Sequence, residues 1–321
     1  MMLSRVADNL YWMSRYLERA EHTARLMDVN LDLMADRSTE AIDRAWQRVF
    51  ASLRLPDLAS DPPDPYDLAH NLTFDPANTG SLVSHITAAR ENARQVREQI
   101  SSEMWEQINR LYLDVSQTNQ DQIWREQPHD FFQAVKRGAH LFEGISDSTM
   151  NHGEGWHFIQ LGAFIERASN VATLLNVHLG DPDEANQPVR SAEQYLEWAG
   201  LLRSCTAFEA YCKVYTADLR FQDIAEFLLL NEEFPHSVYY SIMQMRYALD
   251  NIANVTGTRK NSRVYRQAGR LQAMLDYDEI DEVIAGDLHA YLDNIQKQCS
   301  QIHTAIYQTY INYAISDKLS S

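Results

Sequence analysis

The sequence predicts an all-α fold, an internally duplicated helical bundle whose two pseudo-symmetric halves (1–150 and 151–321) pack as one domain. Three observations predict it. Helix breakers are few, with 11 Gly and 9 Pro in 321 residues. Several Pro cluster between Pro56 and Pro76 and again at Pro182 and Pro188, leaving long segments free of the residue that helix interiors exclude. Apolar residues recur at steps of three and four along Leu3, Val6, Leu10, Met13, Leu17, Ala20, Ala24, Met27 and Leu31, the pattern of a helix burying one stripe. Finally, a series of matches repeats in the same order at separations of about 148 (Glu18 to Glu166) to 156 residues (Ser81 to Ser237).

The first helix runs from about Ser4 to Met34. Beside its apolar stripe lies a second row, Tyr11, Arg15, Glu18, His22 and Arg25, flanked by Trp12, Tyr16 and Arg19. A solvent-facing helix needs no aromatic-and-ion row, so this face is expected to meet something inside the protein or at a cleft. A second helix begins near Ser38 and carries Trp46, Val49 and Leu53. Leu55 to Pro65, rich in Asp and Pro, is a loop, and Asp67 to Phe74 is a short helix closed by Asp75-Pro76. Ser81 opens a long helix with Ile86, Ala89, Ala93, Val96 and Ile100 on one face and Arg90, Arg94 and Arg97 alongside. Met104 to Val115 continues helical after a kink at Ser101-Ser102. Polar Ser116 to Pro128 leads to a helix over Phe131 to Ile145.

From Gly153 the pattern returns. Phe164-Ile-Glu-Arg-Ala-x-x-x-Ala repeats Tyr16-Leu-Glu-Arg-Ala-x-x-x-Ala. After a linker from Gly180 to Pro188 comes a helix containing Trp198, Phe208 and Tyr215. Asp223-Ile-Ala-Glu-Phe-Leu-Leu-Leu then echoes Asp67-Leu-Ala-His-Asn-Leu-Thr-Phe, and Ser237, Ile242 and Arg246 fall where Ser81, Ile86 and Arg90 do. His289 corresponds more weakly to His140. The final helix spans about Ile280 to Tyr313 and ends Tyr-rich, an end expected to serve core packing. The period is too long for a solenoid. A doubled bundle with the two Glu-Arg helices near its pseudo-axis fits the spacing.

Apolar residues make up 45% and charged residues 23%, as in globular proteins. The formal net charge of −17 argues against nonspecific binding to nucleic acid or an anionic membrane, both of which need excess Lys and Arg. Cys205, Cys212 and Cys299 form no CxxC and no zinc-ligand spacing. The start has no apolar run of signal-peptide length, and no stretch approaches membrane-span length. A reduced, cytoplasmic location is the expectation.

The chemistry-bearing residues concentrate on the Glu-Arg helices. Adjacent helical residues point about 100° apart, so Glu18 and Arg19 cannot bridge each other well, nor can Glu166 and Arg167. Each Glu is instead expected to pair with an Arg of the opposite half. The simplest result is a partly buried ion network that fixes helix register. The sharper one is a cleft in which Arg15, Glu18, Arg19, Arg90, Arg94, Glu166, Arg167 and Arg246 form a binding site. Arginine suits carboxylates and phosphates because its planar fork binds either in bidentate fashion. Glu154-Gly-Trp-His157 and Glu233-Phe-Pro-His236 have the Glu-x-x-His spacing of di-iron bundles, but the full ligand set is not visible and no metal is assigned. His140 and His289 read as satisfied interior histidines. Ser237 is a plausible N-cap after Phe234-Pro235-His236. No Gly-rich phosphate loop, nucleophile elbow or zinc-protease motif occurs, so no cofactor and no catalytic residue is assigned.

Four stretches carry a resemblance: Leu3-Ser-Arg-Val-Ala-Asp-Asn-Leu-Tyr-Trp-Met-Ser-Arg-Tyr-Leu-Glu-Arg-Ala-Glu21; Ala89-Arg-Glu-Asn-Ala-Arg-Gln-Val-Arg-Glu98 with Ser102-Glu-Met-Trp105; Gly155-Trp156 with Leu161-Gly-Ala-Phe-Ile-Glu-Arg-Ala168; and Ala225-Glu-Phe-Leu-Leu-Leu-Asn-Glu-Glu-Phe-Pro-His-Ser237. Together they resemble the bacterial alpha-E domain proteins over nearly the whole chain. The resemblance implies an all-helical protein encoded beside, or fused to, a circularly permuted ATP-grasp protein. Transglutaminase-like peptidases, and sometimes a proteasome-like peptidase, are further neighbours. One departure is His236, where the family pattern implies Arg; a ligand held by that Arg would be held differently here.

The resemblance therefore implies a helical accessory or substrate-site partner of an ATP-grasp amide or peptide ligase making or modifying a peptide-like product. Two rival readings stand beside it. One is a free-standing enzyme acting on an amide-linked substrate, with Glu18 or Glu166 as general base. The other is a purely structural interaction protein whose ion row is buried and borders no cleft.

Overall fold

The computed structural model describes residues 2–34, 39–55, 65–118, 128–179, 192–259 and 262–312, and every element among them is helical. In chain order these are α1 (Ser4–Met34), α2 (Thr39–Ser52), α3 (Pro65–Phe74), α4 (Leu82–Gln95), α5 (Ser102–Ser116), α6 (Pro128–Thr149) and α7 (Glu154–His178). They continue with α8 (Ala192–Ser204), α9 (Phe208–Tyr215), α10 (Phe221–Leu230), α11 (Val238–Thr256), α12 (Arg263–Tyr277), α13 (Ile280–Ala285) and α14 (Leu288–Ile306). A π-helical turn over Tyr307–Ile311 ends the described chain.

Two long helices organise the rest. α1 packs on α4, α6 and α7, while α7 packs on α1, α11 and α14. α7 is buried on nearly every side, with residues 164–175 all out of solvent, as expected of a helix whose sequence is apolar around most of its circumference. The two meet closely because Gly162 has no side chain. A Cβ there would lie 2.3 Å from both Ser14 Oγ and the Tyr11 carbonyl oxygen of α1. Apolar residues from every part of the described chain, from Ala7 to Tyr310, join one contiguous core.

Side-chain caps fix where several helices begin. Ser81, Ser101, Ser237 and Asp287 accept bonds from the backbone N–H groups of Ser84, Met104, Tyr240 and Ala290, satisfying donors that have no partner within the helix. The cap expected at Ser237 is thus formed, and Ser81 opens its helix as expected.

Three boundaries differ from the sequence reading. The expected kink at Ser101-Ser102 is a full break: α4 stops at Gln95, and Ser101 caps a new helix. The helix expected through Trp198, Phe208 and Tyr215 divides at Thr206, whose φ of +54° ends α8. The final helix is three elements, because Gly286 closes α13, Asp287 caps α14, and a π turn follows Ile306. The expected start near Ser38, the loop at 56–64, most of the 116–128 connector, the 180–188 linker and Tyr313 lie outside the described residues. No described helix is long and apolar enough to cross a membrane, and Cys205, Cys212 and Cys299 are free thiols.

Candidate functional site

Helical spacing puts Arg15, Glu18, Arg19 and His22 on neighbouring rows of α1, and Glu166 and Arg167 face them from α7. The ion pairs run between the helices. Glu166, 2% exposed, accepts Arg15 Nε at 2.7 Å on Oε2 and Arg19 Nε at 2.7 Å on Oε1. Arg167 reaches the other way, donating from Nε to Glu18 Oε1 at 2.7 Å and from Nη2 to Glu18 Oε2 at 2.9 Å, with Glu143 Oε1 a further 3.4 Å contact. Burial by itself would raise the Glu166 carboxyl; Arg15 and Arg19 outweigh it and hold the group at about 2. Burial would likewise lower Arg167, but Glu18 reverses that and keeps its guanidinium charged.

Around Arg15 the aromatic residues of the row find their partners. Its guanidinium lies 4.7 Å from the Trp12 ring centroid, and Nη1 approaches Tyr11 Oη at 3.2 Å and His303 Nδ1 at 2.9 Å. Trp12 Nε1 donates to the Tyr307 hydroxyl, which donates to Asp8. Part of the Tyr-rich end expected only to fill core therefore ties the C-terminal turn to α1. Burial and then Arg15 lower His303 to about 4, so it is neutral near pH 7.

The ion lattice separates two hollows of unequal size. On the Glu18–Arg167 side a narrow one of about 40 Å³ is bordered by Glu21, His140, Glu143, Gln160 and His236. On the Arg19–Glu166 side opens a cavity of about 310 Å³, walled by His22, Thr23, Ser52, Arg54, Gly80, His85 and Asn170. Burial, then Arg54, lowers His22 to about 4; burial, then Arg19, does the same to His85. Both imidazoles are neutral near pH 7.

Five of the eight residues expected to share a cleft do meet: Arg15, Glu18, Arg19, Glu166 and Arg167. The other three do not. Arg90 donates to Asn109 and lies over the Tyr112 and Trp105 rings. Arg94 is exposed and pairs with Glu91 within its own helix. Arg246 donates to the Tyr265 carbonyl oxygen. The Arg90-Arg94 row faces away because Ile86, Ala89 and Ala93 are the face of α4 that packs inward. His140 is half exposed beside Glu21 and Arg25, and exposed His289 contacts Asn176, so neither is the interior histidine expected. Glu154 accepts the Met2 N–H, and His157 packs on Trp156 and Tyr247. Among the described residues no three His, Cys, Asp or Glu side chains gather to hold a metal.

Arg54, Ser52 and His85 were not legible as site residues. Arg54 follows α2 at a φ of +56° with no motif around it, and only the folded chain brings it to α7.

The family called Alpha-E, described as a predicted alpha-helical domain with a conserved ER motif, matches residues 2–311; the two Glu-Arg dipeptides of this chain are 18–19 and 166–167. An uncharacterised protein of Mycobacterium bovis and uncharacterised proteins of two Mycobacterium tuberculosis strains, CDC 1551 and H37Rv, are each 25% identical over 308 residues. The match covers 90% of this chain but 34% of each relative, so the chain spans about a third of their length. No solved structure matches.

Proposed function

The chain belongs to the Alpha-E family, and from that premise we propose that it is a ligand-holding helical partner of an ATP-grasp amide or peptide ligase. The observation that carries the reading is the polar cavity beside a lattice whose own charges are already paired. Such a lattice holds two helices in register and shapes a wall. It is a binding geometry more than a catalytic one, since a carboxylate held at about 2 between two guanidiniums is a weak base near neutral pH. That disfavours Glu166 as the general base of a free-standing enzyme. The open cavity, in turn, disfavours a purely structural role.

The partnership rests on the family resemblance, and the relatives support it. Each carries its matching region inside a chain of which that region is about a third, so in those proteins it is covalently joined to further sequence. The transglutaminase-like peptidase is a second partner on the same footing.

An internal duplication belongs to this reading, and several relationships support it. α1 with α4 and α6 has the same neighbours as α7 with α11 and α14. Ser81 and Ser237 cap corresponding helices. The ion pairs are reciprocal, and Arg44 and Arg48 of α2 meet Glu193 and Glu197 of α8.

The test is co-expression with a circularly permuted ATP-grasp protein of the kind that the resemblance implies as its neighbour. A complex that survives size-exclusion chromatography, and amide formation that falls when this chain is omitted, are expected. Absence of both overturns the proposal.

A further inference from the structure

We infer that the cavity below the start of α4 is a binding site for an oxyanion, the carboxylate or phosphoryl group of a small polar ligand, with Arg54 as its charged anchor. The ligand's role in a ligase system rests on the proposed function; the site itself rests on geometry.

The first argument is charge. Arg19 is committed to Glu166, but Arg54 has no carboxylate partner among the described residues. Its Nη2 donates only to neutral oxygens, Ser169 O at 3.0 Å, Ser169 Oγ at 2.6 Å and Thr173 Oγ1 at 2.7 Å. The carboxylate whose charge acts on it, Glu166, is bonded to Arg15 and Arg19 instead, and the planar fork of Arg54 matches a carboxylate or phosphate.

The second is unused hydrogen-bonding capacity. His22 Nε2, Thr23 Oγ1, Ser52 Oγ and His85 Nδ1 are all buried without a hydrogen-bond partner. All four residues line this cavity, and none is more than 8% exposed. Buried polar atoms are rarely left unpaired, and four of them belong to residues that wall this one hollow.

The third is the backbone. Thr79-Gly80-Ser81 leads into the 14-residue helix α4, whose N-terminus carries the positive end of the helix dipole. Gly80 is part of the cavity wall. A Cβ there would sit 3.3 Å from Asn78 Oδ1 and 3.6 Å from Leu55 Cδ2, contacts that a small shift absorbs, so sterics do not demand glycine. On the other side of the lattice, His236 stands before the capping Ser237 as Gly80 stands before Ser81. There His236 borders the narrow hollow of about 40 Å³ and a smaller one of about 10 Å³ with Arg167, Asn170 and Ser204, against about 310 Å³ beside Gly80. The larger volume takes a molecule that carries the anion as well as the anion, near the lower bound of about 300 Å³ for ligand pockets.

The experiment is a thermal-shift and calorimetric titration of the full chain, without partner, at constant ionic strength. Inorganic phosphate is titrated in one arm and succinate in the other. A saturable rise in Tm is expected with at least one anion, weakened at least tenfold in Arg54→Gln and abolished in Gly80→His, which adds an imidazole to the cavity wall beside Leu55. A response to phosphate alone assigns the phosphoryl source, to succinate alone the carboxylate, and to both the shared chemistry. No saturable response in the unaltered chain overturns the site, as does an equal response in Gly80→His. Circular dichroism checks that each variant folds, and Ser52→Val replaces Arg54→Gln if the latter does not. Because no partner is present, failure here leaves the ligase partnership standing, and loss of the partnership leaves this site standing.

Discussion

Arg167 closes on Glu18 with one edge of its guanidinium, Nε and Nη2 donating to the two carboxylate oxygens at 2.7 and 2.9 Å. Its sequence neighbour Glu166 is closed on by Arg15 and Arg19 from the other helix. The exchange follows from helix geometry: residues one apart diverge by about 100°, so a Glu-Arg dipeptide finds partners across an interface and not within itself. Two such dipeptides on packed helices pin register.

Glu166→Gln is the sharpest test of that pinning. It keeps the shape but leaves Arg15 and Arg19 without their shared counter-ion inside the protein. Removing one partner of a buried pair costs about 3–5 kcal/mol, and urea denaturation should show a loss in that range. Glu18→Gln should cost less, because Arg167 retains Glu143 at 3.4 Å. A loss below about 1 kcal/mol for Glu166→Gln, the scale of surface pairs, would mean that the lattice is wetted.

Two glycines should respond to alanine with opposite signs. At Gly162 a Cβ would collide at 2.3 Å with Ser14 Oγ and the Tyr11 backbone, so α1 and α7 must separate. Overpacking of this kind costs about 1–3 kcal/mol. At Gly144, in α6, nothing lies within 4 Å of the new methyl, and exchanging glycine for alanine inside a helix gains about 0.5–1 kcal/mol. Thermal melts of the two variants should move apart. Equal shifts would show that the close helix crossing is absent.

These contrasts also explain what the sequence could tell. The apolar stripe of α1 and the aromatic-and-ion row beside it were readable, because a 3.6-residue period maps directly onto burial. The Glu-Arg pairing across helices was readable for the same reason. Arg90, Arg94 and Arg246 misled because chemical type says nothing about which face a neighbour covers; Arg94 satisfies itself with Glu91 one turn away. Arg54 and His85 were invisible for the converse reason. They belong to separate segments, with His85 inside α4 and Arg54 just after α2, and they meet only through packing on α1 and α7.

The thiols should differ sharply in reactivity. Burial pushes Cys205 and Cys299 up to about 12, and both are nearly closed to solvent. Only the thiolate is an effective nucleophile. Cys212 is partly exposed. Labelling with a thiol-reactive disulfide reagent under native conditions should modify Cys212 first and reach the other two only on unfolding, with Cys212→Ser abolishing the fast phase. Rapid labelling of Cys205 would mean that α8 opens readily.

Acid should destabilise the fold in two stages. His22, His85 and His303 ordinarily titrate at 6.5 and are lowered to about 4, chiefly by burial and then by Arg54, Arg19 and Arg15 respectively. Between those values the unfolded chain binds protons that the folded chain does not, so stability rises with pH there. This contribution is complete above pH 6.5 and is lost as pH falls toward 4. Glu166 adds a second window, since its carboxyl is held at about 2 against an ordinary 4.5. Its contribution is complete above 4.5 and is lost as pH falls through about 2. The urea midpoint should therefore begin to decline at pH values above the Glu166 window. His22→Gln and His85→Gln should each flatten the upper stage while leaving the lower one in place. A midpoint constant from pH 6.5 to 4.5 would show that these imidazoles are not buried neutral, and the cavity wall they form would have to be redrawn.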